Sequence, residues 1–314
     1  MIIVTGAAGF IGSNLVWTLN RRGLTDIVLV DQMDSTEKFK NLQHLQFRNL
    51  IAPNDFLASL DSYKSASIVF HQGAITDTTL SDGALMMQQN YDYSKQLLSW
   101  CQQDHRRFIY ASSAAVYGDG NNGFAIEPQS ENPLNIYGFS KLMFDRYVGQ
   151  QLSHAQIVGL RYFNVYGPQE KHKDRMASVP WHLMNQAHNV STMRLFEGSE
   201  HFQRDFIHVD DVVKVNLFFM DNPSLSGLFN VGTGQARTFA EIGEILQKLM
   251  PFASLQTIPF PKDLEGKYQK STCADLSLLY AVGYHGPWIS PEDGMTDYYH
   301  HFISHGGYRP VLSA

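Results

Sequence analysis

Cysteine is almost missing from this chain: Cys101 and Cys273 are the only two in 314 residues, with no CxxC pair and no His/Cys metal-ligand spacing. That excludes a disulfide scaffold and makes a reducing cytoplasm the expected compartment. Long apolar runs are also missing, none approaching the roughly 18 residues of a membrane-spanning helix. Basic residues are not in excess, since 24 Lys and Arg face 30 Asp and Glu for a formal net charge of -6. A nucleic-acid partner is therefore not expected. The first residues carry no basic region or cleavage site, so no signal peptide is expected. His300, His301 and His305 crowd the C-terminal end in no spacing that requires a metal, and none is expected. No internal repeat or low-complexity tract is visible. With 44% hydrophobic and 17% charged residues, the chain reads as a folded, soluble enzyme. An anionic substrate would need a local basic pocket in this acidic body.

What is present is a recurring alternation of strand and helix. Met1–Thr5 and Ile27–Val30 are short apolar runs suited to strands buried on both faces. Between them Ile11, Leu15 and Leu19 have helical spacing, and Gly23 ends the helix. Further strands are expected at Ile68–Phe70, Phe108–Ala111 and Ile157–Leu160. Repeated βαβ units predict an α/β, Rossmann-type doubly wound parallel sheet. Past Gly167-Pro168 the character changes, with more Pro, His and aromatics in Lys171–Ser199 and Pro251–Ala314. We expect a dinucleotide-binding domain over 1–167 and a smaller, discontinuous substrate-binding lobe over 168–314. That lobe returns to the sheet near 205–235, where Phe229-Asn230-Val231-Gly232 reads as a strand.

Three groups of residues carry chemistry. Gly6-x-x-Gly9-x-x-Gly12 follows a strand and opens a helix, a setting that brings backbone close to a pyrophosphate at a helix N-terminus. Asp31, 19 positions beyond Gly12, is placed to accept from an adenosine ribose hydroxyl and favours NAD. Lys38 is placed to pair with a 2′-phosphate and favours NADP, so the residues alone leave the choice open. Ser113 ends the strand of Tyr110-Ala111-Ser112-Ser113, where open α/β sheets bind ligands. Tyr137 and Lys141, four apart, share one helix face. A free tyrosine has a pKa near ~10 and is a poor base at neutral pH. A nearby ammonium and a cationic nicotinamide both favour its phenolate. Together these groups point to hydride chemistry on an alcohol.

With Arg161 through Pro168 and Arg204 through Val212, these motifs resemble the extended short-chain dehydrogenase/reductase superfamily of nucleotide-sugar enzymes over nearly the whole chain. A narrower set is similar to the ADP-L-glycero-D-manno-heptose 6-epimerase family: Gly167-Pro168-Gln169-Glu170-Lys171-His172-Lys173, Leu195-Phe196-Glu197-Gly198-Ser199, and Gly266-Lys267-Tyr268-Gln269. The resemblance implies a cytoplasmic homo-oligomer, a homopentamer, acting in lipopolysaccharide inner-core biosynthesis with a tightly held NADP, NAD being the alternative. It implies cofactor contacts from Gly6, Gly9, Phe10, Ile11, Gly12, Asp31, Gln32, Lys38, Gln72, Gly73, Ala74, Ile75, Thr76, Asn90, Lys141, Val165 and Lys173. Substrate contacts implied are Ser113, Asn164, Arg175, His182, Phe196, Glu197, Gly198, Ser199, Arg204 and Tyr268, the Arg204 fork suiting a diphosphate.

The resemblance also gives Lys173 a role that its charged loop alone does not suggest, that of a second acid/base beside Tyr137. Oxidising C6″ erases its stereocentre, and hydride must return to the other face of a 6-ketone. Two proton-transfer groups flanking the carbon serve the two orientations. The chain departs from the family at Asp174 and Arg175, where a Gly and a small hydroxyl residue are usual, and at Pro53, where a lysine often meets the cofactor phosphate. One rival expectation is a UDP-hexose 4-epimerase, which shares Ser113, Tyr137 and Lys141 and does not need Lys173. Another is a protein that binds dinucleotide without turnover. A 4,6-dehydratase is disfavoured because Ala114 and Ala115 stand where an acidic pair would be wanted.

Overall fold

Strands form where β-branched and apolar residues run unbroken, because a parallel sheet covered on both faces buries both sides of each strand. The structure, a computed structural model, describes residues 1–151, 154–260 and 271–312. Its main strands are β1 (Ile2–Thr5), β2 (Ile27–Val30), β3 (Asn49–Ile51), β4 (Ile68–His71), β5 (Arg107–Ser113) and β6 (Ile157–Tyr162), joined by Gly227–Val231. They make one seven-stranded sheet in the order Gly227–Val231, β6, β5, β4, β1, β2, β3, every pair parallel. This is the doubly wound sheet expected from the sequence. All four residues of β1, β2 and β4 are buried. The edge strand β3 is half-exposed and has too few apolar residues to announce itself.

Alternate residues of β1 feed opposite cores, as a period of two requires. Ile2 and Val4 join Leu15 and Leu19 of the helix Phe10–Arg21 and Val212 of the helix Val209–Asp221. Ile3 joins Leu97 of the helix Tyr93–Gln103 and Phe144 of the helix Ile136–Gly149. A third core lies apart, built by Trp181, Met184, Ile242, Leu246 and Tyr298. Around it three small strand pairs form: Asn164–Tyr166 with Phe206–His208, Gln203–Arg204 with Arg237–Thr238, and Thr192–Phe196 with Ser254–Ile258.

The strand order reverses its direction of growth between β1 and β4. The crevice beyond the carboxyl ends of such neighbours is where these sheets bind ligands. Gly6, Asp31, Gln72 and Ser113 all stand at or just past carboxyl ends of strands, and so meet at one rim.

Candidate active site

The turn after β1 is shaped by its glycines. Gly6 has φ +62°, and a Cβ there would lie 2.6 Å from the Cα of Gly73. The backbone beyond β1 thus abuts the backbone beyond β4. The helix Phe10–Arg21 follows, and Gly9 gives its first turn no side-chain cap. Its leading amides are therefore open to an anion, and the helix dipole favours negative charge there. A cavity of about 600 Å³ lies over this turn, lined by Gly6, Gly9 through Gly12, Asp31, Gln32, Lys38, Gln72 through Thr76, and Lys173. The close glycine backbones and the uncapped helix start fit a dinucleotide pyrophosphate.

Asp31 ends β2 with both carboxylate oxygens engaged. Oδ2 accepts from the Ala8 amide at 2.8 Å. Oδ1 accepts from the Gln32 amide at 2.7 Å and pairs with Lys38 Nζ at 2.8 Å. The lysine and aspartate side chains are 14% and 7% exposed, so the pair is largely shielded from water. Pro53 lines the same cavity without adding charge.

A second cavity of about 450 Å³ adjoins the first, sharing Phe10, Ile11, Gln72, Ala74, Thr76 and Lys173 with it. Ser113, Tyr137, Lys141, Asn164, Val165 and Arg204 complete much of its wall. Tyr137 and Lys141 come from the helix Ile136–Gly149, whose start is fixed by the Asn135 side chain accepting from the Gly138 amide at 2.8 Å. Lys141 is buried and donates to the Ala111 carbonyl of β5 at 2.9 Å. Loss of hydration pushes its pKa down to about 8, against the charge of Asp145. Burial raises the Tyr137 phenol above its ordinary value, and its hydrogen bond with Ser113 opposes that. The depression expected from Lys141 is thus not a property of the protein alone. With only a buried amine nearby, desolvation of the phenolate wins.

Lys173 sits in the short helical segment Lys171–Met176. Its Nζ lies 5.2 Å from the centre of the Phe10 ring, and burial lowers its pKa against the charge of Glu170. The neighbouring Arg175 lines the first cavity and not the second. It donates to Asp77 Oδ2 at 2.6 Å and to Thr79 Oγ1 at 2.8 Å, so it straps its loop to the segment after β4.

Several residues chosen from the sequence do not reach either cavity wall. Asn90 is buried and holds Ile75 instead, accepting from its amide at 2.8 Å and donating to its carbonyl at 2.9 Å. His182 faces the Arg175 carbonyl at 3.3 Å. Phe196 ends a lobe strand and packs on Phe260, with Glu197, Gly198 and Ser199 in the turn beyond. Tyr268 lies outside the described residues. Sequence reasoning missed Tyr93, His172 and Met176 on the first cavity and Phe239 and Thr272 on the second. His172 and Met176 lie in the loop of Lys173, where the family resemblance assigns them no contact, while Tyr93, Phe239 and Thr272 stand in no motif, and only chain folding gathers them.

Residues 2–232 match the family model described as the NAD dependent epimerase/dehydratase family. The ADP-L-glycero-D-manno-heptose-6-epimerase of Brachyspira hyodysenteriae (strain ATCC 49526 / WA1) is 50% identical over 316 residues, covering 98% of this chain and 99% of that protein. The crystal structure of the Helicobacter pylori ADP-L-glycero-D-manno-heptose-6-epimerase superposes with a TM-score of 0.84 at 34% identity, covering 96% of each chain. UDP-glucuronic acid 4-epimerase from Bacillus cereus, solved with UDP-glucuronic acid and NAD, superposes with a TM-score of 0.81 at 27% identity, over 96% of this chain and 98% of that one.

Proposed function

Because the chain belongs to the NAD dependent epimerase/dehydratase family, we propose that it converts ADP-D-glycero-D-manno-heptose to the L-glycero epimer at C6″ through a transient 6-ketone. One observation carries this reading beyond the family. Lys173 lines both cavities and shares the wall of the second with Tyr137 and Ser113. Two proton-transfer groups thereby border one chamber, one for each orientation that the 6-ketone takes between its formation and its reduction.

A bound nicotinamide dinucleotide supplies the hydride acceptor and donor, and its cationic form favours the Tyr137 phenolate. Ser113 orients the C6″ hydroxyl, and Tyr137 takes its proton as the carbon is oxidised. Lys141 contributes positive charge beside the phenolate. After the ketone turns, Lys173 gives the new alkoxide its proton. Its lowered pKa favours that transfer, since a desolvated ammonium releases a proton more readily. Arg204 and Asn164 on the second cavity are assigned to the nucleotide-sugar.

The dinucleotide assigned is NADP, with NAD as the alternative. Lys38 neutralises the carboxylate of Asp31 that would otherwise repel a 2′-phosphate. The separate lobe core supports a division into a cofactor domain over 1–167 and a mainly substrate lobe over 168–314. A cytoplasmic homopentamer serving lipopolysaccharide inner-core assembly is the accompanying proposal, resting on the family resemblance.

The test incubates purified protein with ADP-D-glycero-D-manno-heptose and follows C6″ stereochemistry by NMR. Mass spectrometry identifies the nucleotide released on denaturation. Expected are the L-glycero epimer without added cofactor, and NADP. No conversion with NADP or NAD supplied, together with turnover of a UDP-hexose, would replace this reading with the 4-epimerase.

A further inference from the structure

Below the second cavity lies a buried set of charges that the reaction as described does not use. Asp145 follows Tyr137 and Lys141 at the same four-residue interval on the helix Ile136–Gly149, so the three share one face. Its carboxylate is buried. Oδ2 accepts from Ser112 Oγ at 2.8 Å and from Arg161 Nε at 2.9 Å, and Oδ1 accepts from the Tyr110 hydroxyl at 3.0 Å. Ser112 adjoins Ser113 on β5, and Arg161 lies on β6 just before Asn164. One carboxylate therefore fastens the helix that carries Tyr137 and Lys141 to β5, which ends at Ser113, and to β6, which ends two residues before Asn164.

A buried carboxylate is costly to maintain unless partners compensate it. Here the partners are in place, and Arg161 is itself held by Glu131 at 2.6 Å. A structural clasp could have been built from uncharged groups at less cost. What a charge adds is its field at Lys141, whose amine is desolvated and, among the described residues, meets a backbone carbonyl as its acceptor. The other groups near Lys141 do not substitute for it. His71 on β4 is kept neutral by burial, Tyr137 is a neutral phenol in the free protein, and Arg161 is a cation.

We propose that Asp145 is a positioning residue of the reaction, the buried carboxylate that keeps the Lys141 amine charged and locks the strand end of Ser113 against the helix of Tyr137. This rests on the reading of Tyr137 as the base that takes the alcohol proton and Lys141 as the charge that favours its phenolate. A charged Lys141 is what favours the phenolate, so activity that requires it fails at high pH once the amine deprotonates. Removing the negative charge moves that failure to lower pH.

The test compares wild type, Asp145→Asn and Asp145→Glu as holoenzymes. The Lys141 amine is titrated by the ¹³Cε NMR shift in lysine-labelled protein, assigned with Lys141→Arg, and turnover is profiled against pH. In Asp145→Asn the Lys141 midpoint and the alkaline limb of kcat both move down by about one unit or more, the size expected for loss of an opposite charge. KM stays within about twofold, as for a group not bound to substrate. Asp145→Glu restores most of the shift. An unmoved Lys141 midpoint overturns the proposal, whatever happens to kcat. A shifted midpoint with an unmoved limb supports the field of Asp145 while removing Lys141 from the reaction as read. Should Asp145→Asn not fold, Asp145→Asn with Arg161→Gln removes both charges of the pair and is judged by the same midpoint.

Discussion

Lys173 stands in a loop that gives it little water and few alternatives. Burial lowers its pKa and Glu170 partly restores it, so the amine is poised nearer to exchange than a free lysine. Its loop is held on both sides. Arg175 is tied to Asp77 and Thr79, while the Glu170 carboxylate accepts from the Ser178 amide and hydroxyl, each at 2.6 Å. Asp174 between them takes φ 47° and ψ -123°, a region that favours glycine. Lys173→Met keeps the length and removes the proton. We expect it to lose epimerisation by at least about 100-fold, the scale of general acid–base catalysis, with the dinucleotide still bound. Product NMR and the absorbance of the retained nucleotide measure both, and turnover at the wild-type rate would remove Lys173 from the proton transfers.

Among elements, the strand–turn–helix over residues 2–21 leaves little room for change. A Cβ on Gly12 would lie 2.1 Å from the Gly6 carbonyl oxygen, a backbone atom in a turn already packed against Gly73. Gly12→Ala must therefore displace the helix or the turn, at a cost of about 1–3 kcal/mol typical of overpacking. The expected result is a lower Tm and a protein purified without nucleotide; a variant with unchanged Tm and full nucleotide content would mean that the turn yields easily. This element was legible in the sequence because its signals are local: an apolar run, three spaced glycines, then helical periodicity. β2 and β4 were legible for the same reason. So was the pairing of Tyr137 with Lys141, which needs only a helix. Contacts between distant segments were not. The lobe pairs Thr192–Phe196 with strand Ser254–Ile258, about as short and as mixed as many loops, and only tertiary packing makes them strands. Arg175 meets Asp77 across 98 positions, and Asp145 meets Tyr110 across 35. No spacing rule reports such partners, which is why neither the tie of Arg175 to Asp77 nor the clasp of Asp145 registers in the sequence.

Taken as a whole, the molecule buries several imidazoles in neutral form, which sets how it should respond to acid. His71 shares hydrogen bonds with Thr5 Oγ1 at 2.6 Å and Ser94 Oγ at 2.8 Å. Burial, then the nearby Lys141 charge, pushes its pKa down to about 3. His172 is lowered to about 4 by burial and then by the charges of Lys38 and Lys173. Burial also lowers His208 and His301. Above the ordinary histidine value of about 6.5, folded and unfolded chains hold these rings alike. Below it the unfolded chain binds protons that the folded chain refuses, so folding stability falls as pH falls. For His172 the loss runs from about 6.5 to about 4, and for His71 down to about 3. Each such histidine removes at most about 1.4 kcal/mol per pH unit within its window. Carboxylates add little before about pH 4.5, because the strongly depressed ones, Glu37 and Asp77 at about 2, begin to matter only below their ordinary range. Calorimetry at pH 7, 6 and 5 should therefore show Tm dropping steadily well before carboxylates titrate. The slope should be shallower by about one proton in His71→Asn, if that variant folds with the Thr5 and Ser94 bonds kept. Equal Tm at pH 7 and pH 5 would mean that these rings accept protons in the folded protein, and that the space around them opens to water far more readily than their burial implies.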